Sequence, residues 1–248
     1  MTAYLMMQLY GPMAAWGEQA VGSVRRSAFH PSKSAILGLC AAAMGIKRTD
    51  EMRHENLAKS LRFGVEVLAA GSLIKDFHTT QVPPQRSKIQ RLYTRRDELS
   101  APDLGTILSS RDYRQDALFK AVLWQENGAR NLLDEIAENL RQPVFHLYLG
   151  RKSCPLALPL NPKVLESESL TNALNEYPLP LIDTSTEISD HLSGGYGGLY
   201  WEPCIHNGMP EQAHDMKVVR YDQPLSRNRW QFSSRDEYVR LVNPKGEK

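Results

Sequence analysis

At 248 residues, 42% of them apolar, the chain is long enough for one large domain or two small ones, and it can bury a core without disulfide or metal staples. A formal net charge of +2 is mildly basic; so weak a balance can hide a strong local patch, and it neither excludes nor establishes a nucleic-acid partner. The three cysteines (Cys40, Cys154 and Cys204) lie far apart without a Cys-x-x-Cys pair, no signal-peptide pattern follows Met1, and no apolar run reaches the roughly eighteen residues of a membrane span, so a reduced, cytoplasmic protein with no membrane partner is expected.

The first predicted element is a strand over Tyr4 to Tyr10, apolar except for Gln8, which suits a central strand covered on at least one face. Gly11-Pro12 breaks it, and a loop follows that holds Trp16, Gly17, Gly22, Arg25 and Arg26. Ser32 is a candidate N-cap for a buried helix that starts at Lys33-Ser34 and runs to Gly45, and Asp50 restarts a charged helix through Leu61. Strand, basic loop and helix start together suit an anionic ligand such as a phosphate chain.

Arg62 to Ala70 reads as a strand, with Leu73 to Thr80 as its hairpin partner. From Gln81 to Asp112 the character changes. This stretch has little apolar periodicity and carries Arg86, Lys88, Arg91, Arg95 and Arg96 around Tyr93, as expected of a basic arm that leaves the domain and returns. Tyr113 to Trp124 is a strand, and Leu132, Leu133, Ile136, Ala137 and Leu140 make one face of a helix ended by Pro143. A last strand, Phe145 to Leu149, completes a pattern of two helices among about four strands, the ferredoxin-like or RNA-recognition-motif arrangement of an α+β protein. Beyond the basic turn Gly150-Arg151-Lys152-Ser153, a short helix over Leu165 to Asn175 and strands near Leu199, Met216 and Trp230 predict a smaller, β-rich C-terminal portion. The expected division is a palm with its arm over residues 1–150 and a C-terminal portion over 151–248 packing on it.

Ser32-Lys33-Ser34 resembles the end of a phosphate-binding P-loop, but the Gly-x-x-x-x-Gly that must precede the lysine is absent. ATP chemistry is therefore set aside, and a looser phosphate contact through Lys33, Ser34 and helix-start amides is kept. Arg25 and Arg26, and again Arg151 and Lys152, are cations that can neutralise RNA phosphates or remain solvated surface charge. Basic residues around an aromatic, as in the arm, suit single-stranded nucleic acid, because cations hold the backbone while a ring stacks on a base. Trp16 is either a stacking platform or a buried anchor for its loop. The histidines form no metal-binding set, and no cofactor or metal is expected. His78, beside Asp76, is the one candidate general base, with Tyr93 or Lys88 as helpers.

Several segments occur together and in order: Leu9 to Gly17, Pro31 to Leu39, Gly45-Ile46, Asp76 to Thr79, Tyr148 to Leu156, Leu199 to Glu202 and Arg229 to Arg235. The set resembles the CasD family of subunits in Cascade, the type I-E CRISPR surveillance complex. The resemblance implies a ferredoxin-like palm with a protruding thumb, the basic arm mapping to the thumb. It also implies a non-catalytic subunit that caps the 5′ handle of the guide RNA, contacts the CasC backbone and CasA large subunits, and meets target DNA only through the complex. Guide processing in this subtype belongs to another subunit, CasE. Relatives in another CRISPR subtype cleave RNA, so a metal-independent endoribonuclease using His78 is the competing expectation. The expected RNA-binding residues are Arg25, Arg26, Lys33, Ser34, Arg151 and Lys152 near the palm, and Arg86, Lys88, Arg91, Arg95 and Arg96 on the arm.

Overall fold

The computed structural model of the chain describes residues 1–84, 93–179, 197–203 and 215–242. Its first strand, β1 (Thr2–Ala14), explains the near-continuous apolar run at the start of the sequence. Leu5, Met7 and Leu9 point into one core and Tyr4 and Met6 into another, so both faces of the strand are buried. On one flank β1 pairs antiparallel with β5 (Gly105–Trp124), and on the other with β6 (Lys163–Ser167). β5 pairs in turn with β3 (Arg62–Ala69), and β3 with β7 (Gly197–Trp201). β9 (Gln231–Val242) and β8 (Met216–Ser226) extend the sheet, giving the order β6-β1-β5-β3-β7-β9-β8. Residues on both sides of position 150 thus build one large, mainly antiparallel sheet, and described strands outnumber described helices.

Helices α1 (Lys33–Ala43), α2 (Glu51–Ser60) and α4 (Asn131–Arg141) cover one face of this sheet, and α5 (Leu170–Glu176) covers part of the other. The caps follow the local chemistry read from sequence. Ser32 accepts a hydrogen bond from the amide of Ala35, Asp50 accepts from Arg53, and Gly45 turns the chain out of α1 at φ +68°.

Four predicted elements differ. β1 does not break at Gly11-Pro12; it runs on to Ala14, with Gly11, Met13 and Ala14 still paired to Ala117, Gln115 and Arg114 of β5. β4 (Ser72–Val82) is not the hairpin partner of β3; it pairs with β5 along its whole length. Gly71, at φ +64°, lets the chain step along the same edge of β5, and a Cβ there would lie 2.1 Å from the Gln115 carbonyl oxygen. The first half of β5 and all of β4 therefore form a ribbon, so the arm is rooted at Ser72 rather than Gln81. Phe145 to Leu149 is not a strand. The amides of Val144 and Phe145 instead satisfy the terminal carbonyls of α1, Ala43 and Ala42, and Leu149 is engaged by Cys154 and Ala15. The helix expected over Leu165 to Asn175 begins only at Leu170, where Ser169 caps it; the residues before it are drawn into β6 by the free edge of β1.

Candidate nucleic-acid interface

The start of α1, expected from sequence to receive a phosphate, is already occupied by the protein's own charges. The backbone N–H of Lys33 donates to Asp222 Oδ2 at 2.8 Å, so an internal carboxylate sits at the positive end of the helix. The Lys33 amine lies 3.0 Å from both carboxylate oxygens of Glu202, which also accepts from the Phe63 amide. Arg235 joins the cluster through Asp222 at 2.6 and 3.0 Å and Glu237 at 2.6 Å, and His30 Nε2 lies 3.3 Å from Glu237. Lys33 is 1% exposed and has no reach to a ligand, which corrects its assignment as an RNA-binding cation. A buried charge must be paired, and the carboxylates that pair it come from the far end of the chain.

Burial pulls the Lys33 ammonium below its usual range; Glu202 works against that shift, and Arg235 and Arg62 add to it. For Glu237, burial favours the neutral acid, but the hydrogen bond and field of His30 and the fields of Arg235 and Arg220 more than reverse this and hold its pKa to about 2. A folded-state value below the ordinary 4.5 stabilises the fold above that pH, and the stabilisation is lost as pH falls from about 4.5 towards 2. Thermal melts from pH 5 to pH 2 are expected to show a loss on the order of 3 kcal/mol that Glu237→Gln lacks. An equal loss in the variant would contradict the assignment.

The other predicted residues lie on three surfaces. Arg25 and Arg26 are exposed on the loop after Trp16, where β2 (Val24–Arg25) runs parallel to Ser110 and Arg111 of β5. Among the described residues the Arg25 guanidinium bonds only to carbonyls of its own loop, and Arg26 has no ion-pair partner. Arg151 is spent on structure: it donates to the carbonyls of Asp112 and Arg25, both at 3.2 Å, and covers the Tyr113 ring at 4.7 Å. Lys152 beside it is exposed. On the arm, Arg95 is held by Glu98 at 2.7 Å and by the Gln81 carbonyl, whereas Arg96 is exposed on the short helix α3 (Arg95–Leu99). Arg86, Lys88 and Arg91 lie outside the described residues. His78 pairs with Asp76 on β4, 2.6 Å away.

Trp16 is buried as an anchor. Its ring meets Phe119 edge-on at 5.8 Å, its amide donates to Ser27 Oγ, and its carbonyl accepts from Ala28. It therefore closes the base of the loop that presents Arg25 and Arg26.

Ser34, half-buried and bonded to Ser32 at 3.0 Å, faces a groove of about 600 Å³. One wall is α1 from Ser32 to Ala42, the second is the turn from His146 to Gly150, the third is the β8–β9 hairpin, and the loop residues Ala15, Gly17, Glu18 and Gln19 close a fourth side. Tyr148, Tyr221 and Trp230 line it while remaining 41%, 65% and 55% exposed, so rings of the size that stacks on bases stand beside Arg220 and Arg227. Sequence reading passed over Arg220, Tyr221, Arg227, Trp230, Tyr148 and His146. Arg227-Asn228-Arg229-Trp230 carries the same mixture of cations and an aromatic that marked the arm, and that signal was present in the sequence.

Comparison with known proteins gives a consistent result. A family model described as CRISPR-associated protein (Cas_Cas5) matches residues 4–238. The CRISPR system Cascade subunit CasD of Escherichia coli (strain K12) is 30% identical over 240 residues, which is 96% of this chain and 96% of that protein. Among solved structures, a chain of a CRISPR RNA-guided surveillance complex is similar with a TM-score of 0.64 at 26% identity, over 96% of this chain and 89% of that one. A second, described as a crystal structure of a Cas protein, is similar with a TM-score of 0.58 at 25% identity, over 98% and 96%.

Proposed function

The chain belongs to the Cas5 family of CRISPR-associated proteins, and on that footing we propose that it is the RNA-binding, non-catalytic subunit of a type I-E Cascade that caps the 5′ handle of the guide RNA. In this reading it works in the cytoplasm, joins the CasC backbone to the CasA large subunit, and reaches target DNA only through the assembled complex. The four-strand order β6-β1-β5-β3 with α1 and α4 is the ferredoxin-like palm, the β4–β5 ribbon is the thumb, and β7 to β9 form the C-terminal portion.

The groove between α1, the His146–Gly150 turn and the β8–β9 hairpin carries the proposal. Exposed rings beside arginines suit a single strand whose bases are splayed out, with the cations taking the phosphates and the rings the base faces. Arg25, Arg26, Lys152 and Arg96 present further cations on the loop, turn and arm for the strand's continuation. The non-catalytic reading is supported by the place of His78, the candidate base, which lies on the β4 strand of the thumb and does not line the groove.

Binding of handle RNA across a salt series tests this function. Wild-type protein is expected to prefer handle RNA over a scrambled strand. Removing both exposed cations, Arg25→Ala with Arg26→Ala, is expected to reduce the slope of log affinity against log salt by about 1.4, near 0.7 for each phosphate that is no longer neutralised. Equal affinity for both strands, or an unchanged slope, would count against handle capping by this surface.

A further inference from the structure

Most cations around the groove already have an acid. Arg220 lies 3.6 Å from Glu18, Arg235 is paired with Asp222, and Lys33 with Glu202. Arg227, in the turn between β8 and β9, differs. Its guanidinium is half-buried at the groove wall, yet among the described residues it has no carboxylate partner and no hydrogen-bond acceptor. Its charged neighbour is another cation, Arg48. Arg48 gives two N–H groups to the carbonyls of Arg227 and Asn228, at 3.0 and 3.1 Å. Both guanidiniums lie over Trp230, Arg48 at 4.4 Å and Arg227 at 5.3 Å from the ring centroid. Glu51, the nearest acid on α2 to this turn, spends Oε1 on the amide of Asn228 and the hydroxyl of Ser226. Burial, and then Arg48, push the pKa of Arg227 below the usual arginine range.

A second, independent observation comes from α1. Gly38 sits in the middle of that helix, where glycine costs about 1 kcal/mol relative to alanine. A Cβ at position 38 would lie 2.6 Å from Arg227 Nη2 and 3.6 Å from its Cζ, and beyond the chain neighbours and the helix's own backbone no other described atom is within 4 Å. The helix therefore carries a destabilising residue at a place where a side chain would push this guanidinium aside.

We infer that Arg227, laid over Gly38 and backed by Arg48, holds one internucleotide phosphate of the single-stranded guide RNA in the groove. Two adjacent guanidiniums without an acid suit an oxyanion, and Tyr148 and Tyr221 on the same groove offer rings to the bases that flank it. The inference rests on the RNA-binding reading above.

The test uses full-length protein and handle RNA, synthesised with a 5′-hydroxyl or a 5′-phosphate, and follows anisotropy across a salt series beside thermal melts. Gly38→Ala is expected to keep or raise the melting temperature, because alanine is the better helix former, and the displaced Arg227 is the far end of a flexible side chain. The same variant is expected to bind both RNAs roughly tenfold more weakly, with a salt slope smaller by about 0.7. Arg227→Gln is expected to match it in affinity and slope. Wild-type affinity and slope in both variants would overturn the inference while leaving RNA binding intact. A loss confined to the 5′-phosphorylated RNA would overturn the assignment to an internucleotide phosphate. Wild-type protein that binds neither RNA would overturn the RNA reading and this inference with it.

Discussion

Arg235→Met is expected to destabilise the protein by about 3–5 kcal/mol, lowering the melting temperature by roughly 6–20 °C. The arginine is the hub of a buried cluster that holds Asp222, Glu237 and Glu202 around it, with Lys33 and His30 at the margins. Burial disfavours its charge, but the hydrogen bond and field of Asp222 and the fields of Glu237 and Glu202 more than reverse that and raise its pKa. Removing the guanidinium leaves carboxylates in a place where they cannot be hydrated, and that uncompensated charge, rather than the worth of any single bond, sets the size of the effect. The cluster ties β8 and β9 to α1, so the loss acts on the two walls of the groove together. Urea or thermal unfolding measures it directly, and a loss below about 1 kcal/mol, the level of an exposed ion pair, would show that the cluster is not buried as described.

Trp16→Ala is expected to cost a similar amount, about 3–5 kcal/mol, through the cavity left beside Phe119 and the loss of the ring's own burial. The two possible roles of this residue separate cleanly here. An exposed stacking platform would leave stability within about 0.5 kcal/mol of wild type and change only RNA affinity. The buried anchor changes stability first, and it loosens the loop that presents Arg25 and Arg26 because Ser27 and Ala28 are hydrogen-bonded to the backbone of residue 16, which the buried ring holds in place. Unfolding of the RNA-free protein decides between them.

What the sequence made legible was local. The Ser32 and Asp50 caps, the Gly45 exit and the amphipathic face of α4 are each set by neighbours within a few residues, and each is found where the pattern put it, whereas the first strand is carried by its pairing with β5 past the expected break at Gly11-Pro12 to Ala14. The misreadings come from distance along the chain. Lys33 beside two serines at a helix start has the look of a ligand cation, but its partner Glu202 is 169 residues away and Asp222 is 189. Proximity in sequence pairs β4 with β3; the turn at Gly71 instead sends it along an edge of β5 that returns only after the arm. The groove was invisible for the same reason, since its walls come from four separated segments and only folding makes Ser34, Tyr148 and Arg227 neighbours.

The most direct measurement of the central claim is photo-crosslinking of handle RNA, carrying photoreactive bases, to the full-length protein, with the modified peptides read by mass spectrometry. Bases held in the groove are expected to attach to Tyr148, Tyr221 or Trp230, and an excess of unmodified handle RNA should suppress the attachment. Crosslinks that avoid all three rings, or that an unrelated strand suppresses equally well, would contradict the account.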